Sequence, residues 1–419
     1  MGADSAGIDA LVEGAVFAAR EEDRQDARRR ITESARARGI EPASIQGLYE
    51  AAGKGLYRGI TVPAINIRGL TYQVARAVFR AALRREVGAF IFEIARSEIG
   101  YTKQRPGEYA ACVLAAAVKE EFSGRVFIQG DHFQVNAARY ASERDKELKA
   151  IEDLIRESVA AGFLNIDVDA STLVNLGRER LDEQQEDNSL VTARMTRFIR
   201  GIEPKGMAIS VGGEIGEVGG RNSTVEDLRA FMKGYLKLLD SGVKGISKIS
   251  VQTGTTHGGV VLPDGSIAKV ELDLKVLEQL SNLARQEYGM AGAVQHGAST
   301  LPDDAFSLFP QGGTAEVHLA TGFQNIIYDS PHFPGELLST VNNHLLETYA
   351  AEKKAGETRE QFLYKTRKKA FGDFKKELWD LPEDSLEGVG EALEKQFSFL
   401  FQQLNVVNTV DLVKRYVAA

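Results

Sequence analysis

Cysteine is almost missing: Cys112 is the one thiol in 419 residues, set in the apolar run Ala110-Ala111-Cys112-Val113-Leu114. An internal disulfide is therefore excluded, and the thiol reads as a small buried helix residue. A basic excess is missing too. Lys plus Arg number 51 against 59 Asp plus Glu, a net charge of −8. The chain as a whole does not attract a polyanion, which argues against nucleic-acid binding but leaves room for a local pocket that takes a small phosphate. No apolar run approaches the roughly 18 residues of a membrane span. A secretory signal is also lacking, because the run 11–19 is broken by Glu13 and flanked by charge. Met1-Gly2 is followed by Ala6 where a myristoylation pattern has Ser or Thr. These absences, with 43% hydrophobic and 26% charged residues, predict a soluble, cytoplasmic protein of ordinary globular composition.

What the chain does contain is a rhythm. Short apolar, β-branched runs occur at 60–66, 88–94, 125–130, 163–169, 207–213, 246–252, 292–296 and 323–329. Between them lie segments of helical periodicity, among them 74–85, 147–161, 225–239 and 272–288. Strand alternating with helix indicates parallel βαβ units. Eight such units match a (β/α)₈ TIM barrel, an α/β fold of about 250 residues, whereas a doubly wound open sheet does not require eight. The spacing predicts a barrel over 57–334, with helical extensions over 1–56 and 335–419. In the second extension Phe397, Phe399, Leu400, Leu404, Val407, Leu412 and Val413 recur at roughly helical spacing, a face that covers the barrel or a partner. Trp379 reads as an anchor in that packing.

Chemically able residues fall at the ends of the runs. Asn66 closes the first, Asp131-His132 follows the third, Asp169 ends the fourth and Glu214 follows the fifth. His257 lies just past the sixth, His296 ends the seventh and Asp329 ends the eighth. A barrel opens all its strand C-termini onto one face, where active sites are built. Three imidazoles there, with one position open, suit a catalytic zinc, and would also accept cobalt or iron. His318, His332 and His344 have no such placement and read as structural. Gln295-His296-Gly297-Ala298-Ser299-Thr300 leads toward a helix N-terminus, readable as an anion site or as a plain N-cap. The stretch 212–220 holds five glycines in nine positions, which predicts a mobile loop at the mouth. Ser223-Thr224-Val225-Glu226 reads as a capping box that starts the next helix.

In this order the motifs resemble the class II, zinc-dependent ketose-bisphosphate aldolases. The family's Asp-His pair is similar to Asp131-His132, and its Glu-x-Gly-x-x-Gly-Gly entry to Glu214-Ile215-Gly216-Glu217-Val218-Gly219-Gly220. Its second and third zinc histidines resemble His257-Gly258 and His296-Gly297-Ala298-Ser299-Thr300. Its early Ala-x-Asn resembles Ala64-Ile65-Asn66, and its closing Asp-Thr resembles Asp329-Ser330. The resemblance implies one catalytic Zn2+ held by His132, His257 and His296, with Glu214 as a ligand or standing behind one. It implies that Asp131 exchanges the proton of the reacting hydroxyl and that Glu217 is the nearest group to protonate the carbanion. Gly258, Gly297, Ser299 and Ser330 would cradle phosphate, while Asn66, Asp169 and Asp329 would bind the rest of the substrate. The implied reaction cleaves or forms the C–C bond of a phosphorylated ketose such as fructose 1,6-bisphosphate, giving dihydroxyacetone phosphate and an aldehyde. Zinc would stabilise the enediolate as a Lewis acid. A homo-oligomer, dimer or tetramer, is implied as well.

The likeness has departures. The family's last strand reads Gly-x-x-Lys-x-Asn-x-Asp-Thr. Set on Gly322 to Ser330, its lysine and asparagine become Asn325 and Ile327. Arg221-Asn222-Ser223 stands where acidic residues usually follow the glycine pair. Gly130-Asp131-His132 and Asp167-Val168-Asp169-Ala170-Ser171 also resemble the non-catalytic partner subunit of tagatose-bisphosphate aldolase. That supporting role, and another metal-assisted phosphosugar reaction on the same barrel, stand as alternatives.

Overall fold

Parallel strands covered on both faces need helices outside and a filled interior, and here they meet that need in a ring. The computed structural model describes residues 7–216, 221–254, 262–263 and 272–417. Nine parallel strands form one sheet: β1 (Ile40–Ala43), β2 (Val62–Asn66), β3 (Ile91–Ala95), β4 (Gly124–Gln134), β5 (Asn165–Asp169), β6 (Ser210–Glu214), β7 (Lys248–Val251), β8 (Ala293–Gln295) and β9 (Glu316–Leu319). Strands β2 to β9 close into a (β/α)₈ barrel, because β2 pairs with β9 and β4 pairs with both β3 and β5. The expected helices are present as Thr71–Arg84, Ala137–Ala160, Val225–Leu238 and Leu274–Tyr288. Thr224 caps the third of these, in a box closed by Asp227 rather than by Glu226.

Two expectations need correction. The run 323–329 is not the eighth strand; Thr321–Tyr328 is a helix, and the strand is β9, which ends just before it. Phe323 and Ile327, four residues apart, are both buried, so the apolar residues of this run follow helical spacing. The true strand was hidden because its inward residues are Glu316 and His318. The N-terminal extension is likewise not helical throughout. After helices Ile8–Phe17 and Glu21–Arg36, β1 pairs with the first residues of β4, from Gly124 to Phe127. It occupies the stretch of β4's edge below the residues that pair with β5. At four residues including Pro42, β1 is too short to show a period of its own.

Asn165 pins that insertion. Its Oδ1 accepts from Ile45 N at 2.8 Å, and its Nδ2 donates to Ala43 O at 3.2 Å and Ile128 O at 3.0 Å. Asn165→Ala would leave these buried backbone groups unpaired. We expect it to cost about 2–3 kcal/mol, measured by urea unfolding, whereas Asn165→Asp should recover the Ile45 bond alone. A loss below about 0.5 kcal/mol would show that β1 is held by packing instead.

The C-terminal helix Glu383–Gln403 buries Leu393, Phe397, Leu400 and Phe401. Phe397 packs on Phe323 with ring centroids 4.8 Å apart, and Glu394 accepts from Arg80 at 2.8 Å. Trp379 stacks on Tyr72 at 6.0 Å and meets the edge of Phe17 at 5.3 Å. It thereby joins the first helix, a barrel helix and the C-terminal segment, in keeping with a packing anchor.

Candidate active site

Strand β4 is the longest of the sheet, and its end carries Asp131 and His132. Its register against β5 shifts between Gly130 and Phe133, a bulge that bends the strand and re-aims a side chain. His132 sits at φ +39°, in the left-handed region that side chains rarely occupy. Gly130 is required beneath it, because a Cβ there would lie 2.5 Å from the Phe133 ring. Backbone strain of this kind persists only where the surroundings over-determine it, and here they do. Nδ1 of His132 faces Asp169 Oδ2 at 3.0 Å and Glu214 Oε2 at 3.1 Å. The ionised Asp169 carboxylate can only accept, so Nδ1 carries the proton and Nε2 presents a lone pair when the ring is neutral. That Nε2 lies 3.0 Å from Nδ1 of His296, whose own Nε2 is 2.9 Å from Ser250 Oγ.

This donor set fits a divalent cation. Asp131, His132 and His296 each bring a ligand atom within 4.8 Å of the others. His132, backed by carboxylates on its far nitrogen, has the arrangement of a metal-ligating histidine. Against the pull of burial, the charges of Asp131 and Glu214 raise the His132 pKa well above the usual imidazole range. Burial, then the Asp169 charge, lifts Glu214 to about 7. Burial opposes ionisation of Asp169, yet its hydrogen bond to His132 holds it below the carboxylate range. A site that attracts protons so strongly also attracts a cation able to replace them.

Below the mouth the barrel is filled with charge instead of the usual branched apolar layers. His318 Nδ1 lies 3.2 Å from Asp131 Oδ1 and 3.1 Å from Glu93 Oε2, and its Nε2 is 2.6 Å from Glu316 Oε1. Lys248, with 1% of its side chain exposed, reaches Asp167 at 2.9 Å and Gln129 at 2.8 Å, and also bonds Glu316. Gly212 makes space for that pair, since a Cβ there would meet Asp167 Oδ1 at 2.3 Å. Tyr49 closes the column by donating to Glu316. Burial raises Glu93 to about 7 and Asp167 to about 6. Glu316 is held down near 2, because Lys248 outweighs its burial.

The mouth is a cavity of about 660 Å³. It brings together Asn66, Asp131, His132, Glu214, His296, Gly297 and Ser299, all expected there from sequence. Asp169, expected against substrate, is instead buried behind His132 and bonded to Ser171 and Gln134. Asp329 and Ser330 are not on the rim. Asp329 caps the helix Thr321–Tyr328 and pairs with Arg367 at 2.7 Å. The correction follows from β9: the last-strand pattern falls on Gly313-Thr314-Ala315-Glu316-Val317-His318-Leu319-Ala320-Thr321. Its lysine, asparagine and aspartate positions are thus Glu316, His318 and Ala320, and its threonine is Thr321. Glu217, His257 and Gly258 lie outside the described residues. The turn after β8 is a short 3₁₀ segment, Ala298–Thr300, in which Ser299 Oγ accepts from Ala320 N at 2.7 Å.

Sequence reasoning missed several residues of the mouth. His318, read as structural, stands in its wall, as do Glu93, Arg68 and Lys368. Arg68 is paired with Glu98 at 2.7 Å and also donates to Thr321 Oγ1 at 3.2 Å. Glu98 accepts from Asn66 Nδ2 at 2.6 Å, so Asn66 is held in place from within the rim. Lys368 comes from the C-terminal segment; burial, then Arg68, lowers its pKa.

Solved structures share this architecture. A fructose-bisphosphate aldolase from Campylobacter jejuni is 18% identical, with a TM-score of 0.52 over 88% of this chain and 97% of that one. A fructuronate-tagaturonate epimerase from Cohnella laeviribosi is 11% identical, with a TM-score of 0.62 over 91% and 86%. At these identities the likeness speaks for the fold alone. No curated protein matches the sequence. Among the described residues no helix is long and apolar enough to cross a membrane. The family profile "Fructose-bisphosphate aldolase class-II" matches residues 44–377, most of the chain and the whole of the barrel. The chain therefore belongs to the class II fructose-bisphosphate aldolase family.

Proposed function

We propose that the protein is a zinc-dependent lyase that cleaves and forms a C–C bond in a phosphorylated ketose. The observation that carries this reading is the facing pair His132 Nε2 and His296 Nδ1, 3.0 Å apart, beside the carboxylate of Asp131. His132 and His296 would hold the ion, with His257 as the third ligand expected from the family motif. When bound, the cation supplies Lewis-acid polarisation of the substrate's oxygens. Asp131, nearly buried and 3.2 Å from His318, takes the proton from the hydroxyl on the carbon whose bond breaks. His318, its pKa raised by Glu93 and Asp131 against its burial, orients that carboxylate and balances its charge. Asn66 would hold a substrate hydroxyl, while Gly297, Ser299 and Thr321, with the cations Arg68 and Lys368, would receive a phosphate. Glu217 remains the nearest candidate to return the proton to carbon.

Ala320 favours a second reading. It lacks the carboxylate that the family pattern has at this position on the last strand, so the ketose end is held differently from that of a bisphosphate. An epimerisation, the reaction named for the Cohnella neighbour, would use the same hydroxyl deprotonation if the C–C bond broke and re-formed on the opposite face of the carbonyl, with no fragment released. Product analysis separates the two. Incubation with fructose and tagatose 1,6-bisphosphates should yield triose phosphate, lost on chelation and restored by Zn2+. Asp131→Asn should retain the metal and lower kcat by about 10²–10³-fold. Turnover indifferent to chelation, or unchanged in Asp131→Asn, would sink the proposal.

A further inference from the structure

The opposite end of the barrel has a cavity of its own, about 420 Å³. It opens at the N-terminal ends of β2, β8 and β9, where Val62, Ala291 and Ala315 line it. Two arginines enter it. Arg285 comes from the last turn of the helix Leu274–Tyr288, and the exposed Arg58 from the loop ahead of β2. Space for the Arg285 guanidinium is made by two glycines at positive φ. A Cβ on Gly313 would lie 2.7 Å from its Nη1, and one on Gly292 would lie 2.9 Å from its Nη2.

Most part-buried arginines of this chain have a carboxylate: Arg68 has Glu98, Arg80 has Glu394, Arg96 has Glu147 and Arg200 has Glu203. Arg58 and Arg285 have none, and neither guanidinium makes a hydrogen bond, among the described residues. Burial, then the Arg58 charge, pushes the Arg285 guanidinium down, so the two cations oppose each other. Glu278, the one carboxylate in the lining, is exposed and makes no ion pair with either. The side-chain amides of Asn282 and Gln311 also line the cavity without internal hydrogen bonds. Two guanidiniums and two amides facing a concave space of this size form a receptor for a small oxyanion.

We propose that the closed end of the barrel binds a small polyanionic metabolite, bearing phosphate or carboxylate groups, between Arg58 and Arg285. The N-terminal face of a barrel does not carry its chemistry, so this ligand is not the substrate of the mouth. The proposal uses no residue of the candidate active site and stands or falls independently of it.

The test is calorimetric titration of the full-length protein with inorganic pyrophosphate and, separately, with citrate, at constant ionic strength. At least one probe should bind; the tighter of the two gives the ligand's class. Arg285→Gln should weaken that binding tenfold or more. So should Arg58→Gln, at an exposed position where folding is not at stake. Lys368→Gln, which touches only the phosphate site proposed for the mouth, should leave the Arg285-dependent binding unchanged. Three results would overturn the proposal: neither probe binds, both arginine variants bind as the parent does, or binding is lost only in Lys368→Gln. A change of oligomeric state in Arg58→Gln with unaltered anion affinity would overturn it too, assigning the arginines to a subunit contact.

Discussion

His132→Ala is expected to lose the bound cation and to lower turnover by more than about a hundredfold, since even supporting residues of metal sites are worth 10–100-fold. The expectation rests on how much of the structure is committed to this one ring. The bulge in β4, the glycine at 130 and the left-handed backbone at 132 all serve to turn the imidazole into the mouth. Asp169 and Glu214 then fix its tautomer from behind. Removing the ring leaves these two carboxyl groups close together with no cationic partner. Elemental analysis of the purified variant, beside the parent and a His332→Ala control, gives the metal content; steady-state kinetics give the turnover. A variant that keeps its metal and its activity would move the ion away from the mouth.

The second large effect concerns stability. Lys248→Met should destabilise the protein by about 3–5 kcal/mol, the usual result of removing one partner of a buried ion pair. Among the described residues Lys248 is the only buried lysine, and Asp167 and Glu316 both pair with it. Methionine matches its length but leaves Asp167 and Glu316, both buried, with His318 as their remaining cationic neighbour. The loss should be read from urea unfolding followed by far-UV circular dichroism. Its pH dependence has a definite sign. Glu316, held near 2 in the fold, contributes stability that is present above about pH 4.3, its unfolded value, and is lost as pH falls toward 2. In Lys248→Met that acid-side dependence should shrink, because the fold, left with His318 and Gln129, holds the Glu316 pKa down less. An unchanged urea midpoint would show that the column carries no net charge to be balanced.

These two residues mark the boundary of what was legible beforehand. His132 could be found because it ends a β-branched run, and a barrel sends every such end to one rim. The same rule located Asn66, Asp131, Glu214 and His296. Lys248 could not be found that way. A lysine or a glutamate inside a strand pattern ordinarily points to solvent, and only closure of the ring turns that face inward. The alternation Lys248-Ile249-Ser250-Val251-Gln252 was visible, but not which side of it lay inside. The eighth strand failed for the same cause. Glu316-Val317-His318-Leu319 looked too polar, while the neighbouring Phe323 to Tyr328 run offered more apolar residues at a spacing that suits a helix. Placing the strand one element late carried Asp329 and Ser330 onto the rim and left His318 off it. Arg68 and Lys368 could not be singled out: Arg68 lies past the end of its run, and Lys368 is one of several cations in the basic stretch 365–369, which reads as a solvated helix face.

The chain's single tryptophan adds a practical consequence. Because Trp379 stacks on Tyr72 and meets Phe17 edge-on, intrinsic emission from this protein reports on a clasp between the two terminal segments and the barrel wall. It is blind to the polar column at the axis. Fluorescence and backbone dichroism thus watch two different parts of one molecule. Any gap between their unfolding curves would measure how far the clasp opens before the barrel does.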